Sequence, residues 1–504
     1  MKKVLVFALA AACVLSAAPK KPKLVVAIVF DQFRYDYLER FRSEYHAGFD
    51  RLLKDGAVFT SAHYEHFPTV TAVGHSTFLS GALPSESGII GNEWYDRTAG
   101  RLVTSVSDPA TKLVGGRGGE GSSPERFLVS TVGDELKMSN GGKSRVIGVS
   151  LKDRAAILPA GHMANGAYWL DNTTGNFVSS TYYFEDVPAW VKAFNEARPA
   201  DRYMGQTWLT HTMPKAAPAI YAALAASPYG NEMVESFAEK ALQNEQLGKH
   251  DDTDILTVSF SSNDYIGHEY GSDSTEVHEI SVRSDAVLEK LLQAVDRQVG
   301  LANVVVVMTA DHGGGPVPEV NTARHMPGGR IAKGLIADTV LKALRAKYGN
   351  FDWIANSEEH SLYLNQTQIS AQNLDRAEVA RTAAQALATI PHVSRVYTRE
   401  QLMSGSVLND YSGRLVLNGY YAPRGADIEF LLDPYWLNTT THASHGTTFN
   451  YDTHVPVIFM GAGIRPGRYD QSVFVNDIAP TLANILRVET PSGSVGRVLS
   501  EMWQ

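Results

Sequence analysis

The sequence has almost no cysteine, with only Cys13 in 504 residues. It also has no basic run: 45 Lys and Arg residues stand against 54 Asp and Glu residues, for a formal net charge of −9 at pH 7. Lysine and arginine are not interleaved with aromatic residues, as they are in many nucleic-acid-binding surfaces. The composition therefore predicts neither a disulfide framework nor a nucleic-acid-binding module.

Long apolar runs are scarce too, and the one that stands out lies at the N-terminus. Residues 1–18, MKKVLVFALAAACVLSAA, combine two lysines with a short apolar stretch and a group of small residues. This pattern is typical of a secretory signal peptide, and its apolar part is too short for a stable membrane span. We therefore expect a periplasmic or secreted protein whose mature chain has no membrane span.

Cleavage of this segment near Ala18 would remove Cys13. The mature chain would then have neither disulfide bonds nor thiol chemistry. A lipidation site at Cys13 is the alternative, and it is disfavoured because Ala10, rather than a leucine, lies three positions earlier.

Five short runs rich in valine and isoleucine predict buried parallel strands. They are residues 24–30, 145–151, 255–260, 304–310 and 455–461. Longer helical patterns lie between them, such as the one over 274–299. This alternation predicts an α/β fold, a doubly wound and mostly parallel sheet with helices on both faces.

Titratable residues follow four of these runs. They are Asp31 after the first, Lys152 and Arg154 after the second, Asp264 and His268 after the third, and Asp311 and His312 after the fourth. In open α/β sheets, ligands bind outside the carboxyl ends of the strands. The sequence therefore predicts that these side chains meet at one edge of one sheet.

Two further regions do not follow this alternation of apolar strands and longer helices. Residues 335–440 contain short strand patterns and a helix pattern, which predict a smaller inserted α/β cap between catalytic-domain segments 22–334 and 441–502. Residues 105–125, which include GGRGGEGSSPE, are interpreted as a flexible surface loop. A phosphate-cradling glycine loop is the alternative, but the strand–loop–lysine context of such loops is missing.

Asp264 and His268 are four residues apart, so a helix would place both on one face. Asp311 and His312 are adjacent at a predicted strand end, before three glycines. Asp and His side chains are ligands for zinc. A surface carboxylate–imidazole pair and a helix-capping Asp are the simpler interpretations of each motif alone. Together with Asp31, the motifs predict two metal sites.

One late histidine is needed to complete the first site. The stretch 441–461 offers His442, His445 and His454, and their spacing does not decide among them. Of the sixteen histidines most must be structural. We interpret His75, within AVGHST, as a packed helix histidine.

The stretch PTVT, residues 68–71, is a candidate oxygen donor for the second site. Apolar spacing after Pro68 predicts a helix that starts around the threonine pair. A Thr at a helix N-terminus faces free N–H groups that favour an anion, and a nearby metal would make its hydroxyl more acidic. The alternative is an ordinary helix cap. Two metals beside a nucleophile suit in-line phosphoryl transfer.

The ordered motifs resemble those of the alkaline phosphatase superfamily, and more narrowly the secreted bacterial PafA-like alkaline phosphatases. The motifs are Asp31, PTVT, GNEW (91–94), LKDR (151–154), DYIGH (264–268), ADHG (310–313) and SHG…YDTHVP (444–456). The resemblance runs from about Lys23 to residues 490–496. It implies an alkaline-phosphatase-like fold and an enzyme with two zinc ions per chain.

The resemblance also implies a role for each matching residue. Thr71, not Thr69, corresponds to the nucleophile, and its oxygen also contacts one metal. That metal site corresponds to Asp31, Asp311 and His312, and the other to Asp264, His268 and His445. Asn92, Lys152 and Arg154 correspond to the residues that hold the phosphoryl oxygens. His442 and His454 correspond to no ligand.

The function implied is zinc-dependent hydrolysis of small-molecule phosphate monoesters to alcohol and phosphate through a phosphothreonine intermediate, by a monomer.

A phosphodiesterase or nucleotide pyrophosphatase is the nearest alternative. It would need room for a second ester group where Lys152 and Arg154 lie. A sulfatase would need Cys or Ser in a C/S-x-P-x-R setting, which is missing here. A phosphoglycerate mutase would not usually be exported. A non-enzymatic exported metal- or phosphate-binding protein is the alternative of another class.

Overall fold

The run Leu24–Phe30 forms a strand in which every residue is buried. The computed structural model describes residues 21–503, so the predicted signal peptide and Cys13 lie outside the described residues. The strands are β1 Leu24–Phe30, β2 Ala57–His63, β3 Glu93–Asp96, β4 Arg101–Thr104, β5 Ser107–Val114, β6 Glu120–Ser122, β7 Val146–Ser150, β8 Gly166–Leu170, β9 Phe177–Ser180, β10 Thr207–Trp208, β11 His211–Thr212, β12 Asp254–Phe260, β13 Val304–Thr309, β14 Gly329–Arg330, β15 Ile354–Ser357, β16 Ser361–Leu364, β17 Val393–Thr398, β18 Ile428–Leu432, β19 Trp436–Leu437, β20 His454–Gly461 and β21 Gly467–Phe474.

Helices occupy most of the connections between these strands. They are α1 Tyr35–Arg40, α2 Gly48–Asp55, α3 Thr71–Ser80, α4 Pro84–Ser87, α5 Val132–Ser139, α6 Asp153–Ala160, α7 Ala189–Glu196, α8 Ala219–Leu224, α9 Pro228–Asn244, α10 Ser262–Tyr270, α11 Thr275–Val299, α12 Pro318–Ala323, α13 Leu335–Tyr348, α14 Gln366–Ala371, α15 Arg376–Leu387, α16 Arg399–Ser404, α17 Tyr411–Gly419, α18 Asn450–Thr453 and α19 Ile478–Leu486. Within residues 21–503, none of these helices combines the length and the apolar character that crossing a bilayer requires.

The central sheet has eleven strands in the order β21-β2-β20-β13-β1-β12-β7-β8-β9-β5-β6. The five strands from β13 to β8 are mutually parallel. β1, β12 and β13 are buried along their whole length, which explains why they are continuous apolar runs rather than alternating ones. The predicted α/β fold with a mostly parallel sheet is confirmed.

The orientation predicted for residues 455–461 is wrong. This run forms β20, which is antiparallel to both of its neighbours, β13 and β2. A strand buried on both faces has the same apolar composition whichever way it runs, so composition could not reveal its direction. The start of β20 therefore lies beside the end of β13, where Val457 pairs with Thr309.

The loop predicted for residues 105–125 is also wrong in part. Ser107–Val114 and Glu120–Ser122 pair as antiparallel strands at one edge of the central sheet, and only the glycine-rich residues between them form a turn. Gly118 and Gly119 have positive φ angles, which glycine adopts without a steric penalty. The glycines therefore close a hairpin.

Residues 354–432 contribute a separate four-stranded sheet in the order β15-β16-β18-β17. Helices α13 and α15 pack on it through a hydrophobic cluster that includes Val340, Trp353, Val379 and Phe430. The short strands and the helix predicted for this region are confirmed. The division into a catalytic domain and a cap stays a prediction.

Candidate active site

Polar side chains gather at the carboxyl ends of the parallel strands. Asp31 directly follows β1, and its backbone N–H donates to Phe260 O at the end of β12. Asp311 and His312 follow β13, and Asp264 lies in the first turn of α10, which follows β12. The predicted meeting of these side chains at one sheet edge is thus what the fold produces.

The first group, which we call the Asp31 cluster, consists of Asp31, Asp311 and His312. All three are buried, and one ligand atom from each lies within 4.8 Å of the others. His312 Nε2 lies 3.5 Å from Asp31 Oδ1 and 3.5 Å from Asp311 Oδ2. These three atoms are buried without a hydrogen-bond partner among the described residues. Unpaired buried polar atoms are costly, so their convergence fits a bound divalent cation.

The second group, the Asp264 cluster, consists of Asp264, His268 and His445. Asp264 Oδ1 lies 3.3 Å from His268 Nε2 and 3.5 Å from His445 Nε2, and the two Nε2 atoms are 3.2 Å apart. As predicted, Asp264 and His268 lie on one helix, α10. One carboxylate and two imidazoles are a donor set typical of zinc.

Backbone carbonyls orient the histidines of both clusters. Nδ1 of His268 donates to Ala443 O at 2.9 Å, and Nδ1 of His445 donates to Thr69 O at 2.8 Å. His312 Nδ1 donates to Gly313 O at 2.8 Å. A hydrogen bond at Nδ1 fixes the tautomer that leaves Nε2 with a free lone pair, the usual arrangement in a metal-binding histidine.

The structure places His445, not His442 or His454, with the Asp264 cluster. Because β20 is antiparallel to β13, the segment that precedes β20 lies at the carboxyl edge of the parallel strands. His442 is exposed, and its Nδ1 donates to Glu269 O. His454 Nε2 instead contacts Thr60 O, within β2.

Lys152 connects the two clusters. Its Nζ donates to Asp31 Oδ2 at 2.7 Å, to Asp264 Oδ2 at 2.6 Å and to Thr71 Oγ1 at 3.4 Å. Burial disfavours the charged amine, but Asp264 and Asp31 outweigh it and raise the pKa of Lys152 above its ordinary value. For Asp264, burial is likewise outweighed by Lys152 and His268, which hold its pKa well below the usual range. The amine is therefore charged.

The predicted helix start near the threonine pair is confirmed, with Thr71 as the first residue of α3. Val70 occupies the N-cap position and its side chain makes no capping hydrogen bond, so neither threonine is an ordinary N-cap. Thr69 Oγ1 donates to Thr447 O at 2.8 Å. Thr71 Oγ1 instead faces Lys152, at a helix N-terminus, whose dipole favours negative charge.

Asn92 and Arg154 complete the set of predicted site residues. Asn92 Oδ1 accepts from Ala72 N at 2.8 Å, which leaves its NH₂ group as the donor beside the start of α3. Arg154 lies in the first turn of α6, directly after Lys152 and Asp153, and is partly exposed. Its Nε is buried and has no hydrogen-bond partner among residues 21–503.

Sequence reasoning missed two residues that touch these clusters. Gln32 donates from its backbone N–H to Asp311 Oδ1 at 3.1 Å and from Nε2 to Asp264 Oδ1 at 2.8 Å. His75 is packed within α3, as predicted, but its Nδ1 also lies 3.2 Å from Asp311 Oδ2. The position of Gln32 next to Asp31 could have indicated its role. Nothing in the sequence indicated that His75 would contact Asp311.

Gly74 brings α3 into direct contact with the strand end that holds Asp311. A β-carbon at Gly74 would overlap the backbone carbonyl of Asp311. We expect Gly74→Ala to lower the free energy of unfolding by about 1–3 kcal/mol, because this overpacking meets rigid backbone. Denaturant titration measures it, and Gly133→Ala in α5 is the control, since its nearest neighbour, Val146 Cγ1, is 3.2 Å away. An equal loss in both variants would contradict the steric explanation.

Residues 25–446 match the model of a family described as type I phosphodiesterase / nucleotide pyrophosphatase. Alkaline phosphatase PhoV of Synechococcus elongatus is 36% identical over 96% of this chain and 93% of its own. Alkaline phosphatase PafA of Elizabethkingia meningoseptica is 34% identical over 96% of this chain and 95% of its own.

Solved structures of PafA are similar to the structure of this chain over almost its whole length. The wild-type crystal structure has a TM-score of 0.91 and 32% identity, covering 97% of this chain and 100% of that one. A PafA variant, with a threonine replaced by serine and an asparagine, a lysine and an arginine replaced by alanine, has a TM-score of 0.90, 33% identity and the same coverage. The chain therefore belongs to the PafA-like alkaline phosphatases and is a phosphate-ester hydrolase.

Proposed function

We propose that the chain hydrolyses phosphate monoesters through a covalent phosphate on Thr71, with two zinc ions as cofactors. The observation that carries the proposal is the position of Lys152 Nζ, which contacts both ligand clusters and the Thr71 hydroxyl. A single charged amine thus lies beside the candidate nucleophile and between the two candidate metal sites. Phosphoryl transfer needs this concentration of positive charge beside an oxygen nucleophile.

The Asp31 cluster and the Asp264 cluster would hold one zinc ion each, with Thr71 Oγ1 as an additional oxygen donor beside the Asp31 cluster. Bound zinc ions supply positive charge next to the reacting oxygens and make hydroxyl groups easier to ionise. The three unpaired ligand atoms of the Asp31 cluster support this assignment.

The reaction proceeds in two displacements. Thr71 loses its hydroxyl proton as Oγ1 attacks phosphorus, the bond from phosphorus to the ester oxygen breaks, and the departing alkoxide takes up one proton to become the alcohol. Water then loses a proton as it attacks phosphorus, the bond to Thr71 Oγ1 breaks, and the released threonine oxygen takes up one proton, which gives inorganic phosphate and the original threonine. The N-terminus of α3 and the amine of Lys152 stabilise the negative charge that develops near Thr71 in both steps.

The PafA variant supports the choice of phosphate-binding residues. The four residue types substituted in it are a threonine, an asparagine, a lysine and an arginine. The interval between the first two, and that between the last two, equal the intervals Thr71 to Asn92 and Lys152 to Arg154 in this chain. We therefore propose that Asn92, Lys152 and Arg154 bind the non-bridging phosphoryl oxygens.

A phosphodiesterase is the second candidate, because the matching family model is described by that activity. A monoester brings nearly two negative charges on its non-bridging oxygens, and a diester brings one. Lys152 is a buried cation, and Arg154 has an unpaired buried Nε. Two cationic groups on one phosphoryl group favour the more highly charged substrate.

Lys152→Ala combined with Arg154→Ala is expected to lower monoesterase kcat/KM by about 10²–10³-fold, since each charge-assisted contact contributes most in the transition state. Diesterase kcat/KM should fall far less. Parallel assays on a monoester and a diester, with metal analysis of the variant, measure the difference. Arg154→Ala alone is the control that leaves the Lys152 contacts to both clusters in place. Equal losses for the two substrates would contradict monoester selectivity.

We further propose that residues 22–334 and 441–502 form the catalytic domain, that 335–440 form a cap, and that the chain is exported and acts as a monomer. The separate four-stranded sheet of residues 354–432 supports the assignment of a cap.

Kinetics on a monoester, a diester and a sulfate ester in parallel test the proposed reaction as a whole.

A further inference from the structure

A cavity of about 190 Å³ adjoins the active site. Asn92 and His445 are among the residues that line it, and β16 and β18 of the four-stranded sheet contribute Tyr363 and Glu429. A cavity of about 150 Å³ holds a molecule the size of benzene, so this one can receive the alcohol part of a small ester. Its position beside Asn92 places it next to the proposed phosphoryl site.

Acidic residues are frequent in the lining of the cavity. Its lining includes four glutamates, Glu93, Glu358, Glu359 and Glu429, but no lysine or arginine among the described residues. Burial raises the pKa of Glu359 to about 7 and that of Glu429 to about 8. Burial disfavours the ionised form of these two carboxyl groups, and a cation placed beside them stabilises that form.

Nearby arginines offset the acidic lining only in part. Arg97 Nη2 is 3.1 Å from Asp427 Oδ2, and although its charge lowers the pKa of Glu429, burial outweighs it. The Arg424 guanidinium donates to the backbone carbonyls of Gly88 and Arg126. Neither arginine lines the cavity.

Aromatic rings form much of the remaining wall. They belong to Phe67, Trp94, Tyr363 and Tyr420. Two of these rings already bind a cation on one face: the guanidinium carbon of Arg424 is 5.0 Å from the Trp94 ring centre, and that of Arg97 is 5.0 Å from the Tyr363 ring centre. Aromatic faces combined with carboxylates are the surroundings that proteins use to bind ammonium groups.

We propose that this cavity receives the alcohol part of the substrate and selects phosphate monoesters whose alcohol carries an ammonium group. The inference rests on the proposed monoesterase function and adds the substrate class. Lys152 and Arg154 bind the phosphoryl dianion, while the glutamates and aromatic rings bind the positive end. Substrates with an anionic alcohol part are repelled by the same carboxylates.

Choline phosphate and 3,3-dimethylbutyl phosphate test the proposal, because they have the same shape and differ by one positive charge. We expect the wild-type enzyme to hydrolyse choline phosphate with a kcat/KM at least about tenfold higher than that of the neutral ester. The ratio should fall as salt is added, because the contribution of the carboxylates is electrostatic.

Glu429→Gln and Glu358→Gln keep the shape of the lining and remove one acidic group each. In assays above pH 8, where Glu429 is largely ionised, each should reduce the choline-to-neutral ratio by about three- to tenfold, the value of one close charge interaction in a partly buried site. Glu378→Gln is the matched control: Glu378 is exposed on α15, pairs with Lys347 and lies outside the cavity. It should leave the ratio unchanged.

The outcomes separate the two proposals. If the enzyme hydrolyses both esters with a wild-type ratio near one or below, the selectivity inference is overturned and the monoesterase function stands. If it hydrolyses neither ester, nor any other monoester, both fail. A fall of the ratio in Glu378→Gln equal to that in Glu429→Gln would assign the preference to the general surface charge and overturn the cavity assignment.

Discussion

Thr71→Ala is expected to lower the turnover of a chromogenic phosphate monoester by about 10⁴–10⁶-fold, the range seen when a covalent nucleophile is removed. Its hydroxyl lies beside the Lys152 amine at the start of α3. Both ligand clusters are built from other residues, so the variant should keep its metals. Steady-state kinetics together with elemental analysis measure both expectations.

Thr69→Ala is the matched control for this prediction. The Thr69 hydroxyl donates to the backbone of Thr447, and it is the Thr69 carbonyl, which alanine retains, that accepts from His445. We expect a much smaller loss of turnover than for Thr71→Ala. Equal losses in the two variants, or phosphate trapped covalently on another residue, would show that the nucleophile is misassigned.

Removal of metal is expected to have the second large effect. Chelation should lower monoesterase activity by at least about 10³-fold, because the charge that two cations supply to the reacting oxygens is lost. Elemental analysis of the active enzyme should give two zinc ions per chain, and added zinc should restore activity. Circular dichroism should change little, since β1, β12 and β13 are buried apolar strands held by backbone pairing.

His445→Ala and His442→Ala separate a ligand from a neighbour in the same segment. His445 Nε2 faces Asp264 and His268, whereas His442 is exposed and contacts the Glu269 backbone. His445→Ala should lose one zinc ion and most activity, and His442→Ala should retain both ions and full activity. One zinc or none in fully active wild-type enzyme would contradict the two-metal proposal.

Most of this site could be predicted from the sequence because polar residues directly after buried strands have little freedom of placement. Asp31 and the pair Asp311 and His312 follow strands β1 and β13, which lie side by side in register. Asp264 and His268 needed only the periodicity of a helix. Each of these residues is fixed by its local element, and each element was evident from its own residues.

The remaining features of the site depend on contacts between residues far apart in the chain, which local sequence patterns do not reveal. His445 reaches the site because β20 runs against β13, and an apolar run gives no sign of its direction. Gln32 and His75 contact Asp311 across the packing of loop and helix, at sequence separations that no periodicity spans. The cavity beside Asn92 is likewise formed by residues far apart in the chain.

The antiparallel course of β20 also bears on how such enzymes diversify. Chain that leaves the end of β13 returns to the start of β20 on the same side of the molecule, and no strand of the central sheet comes from the residues in between. Residues 335–440 supply part of the cavity wall, including Glu358, Glu359 and Glu429, whereas all six residues of the two ligand clusters lie outside that range. Substitutions on this side of the cavity can therefore alter the substrate-facing surface without replacing a candidate metal ligand.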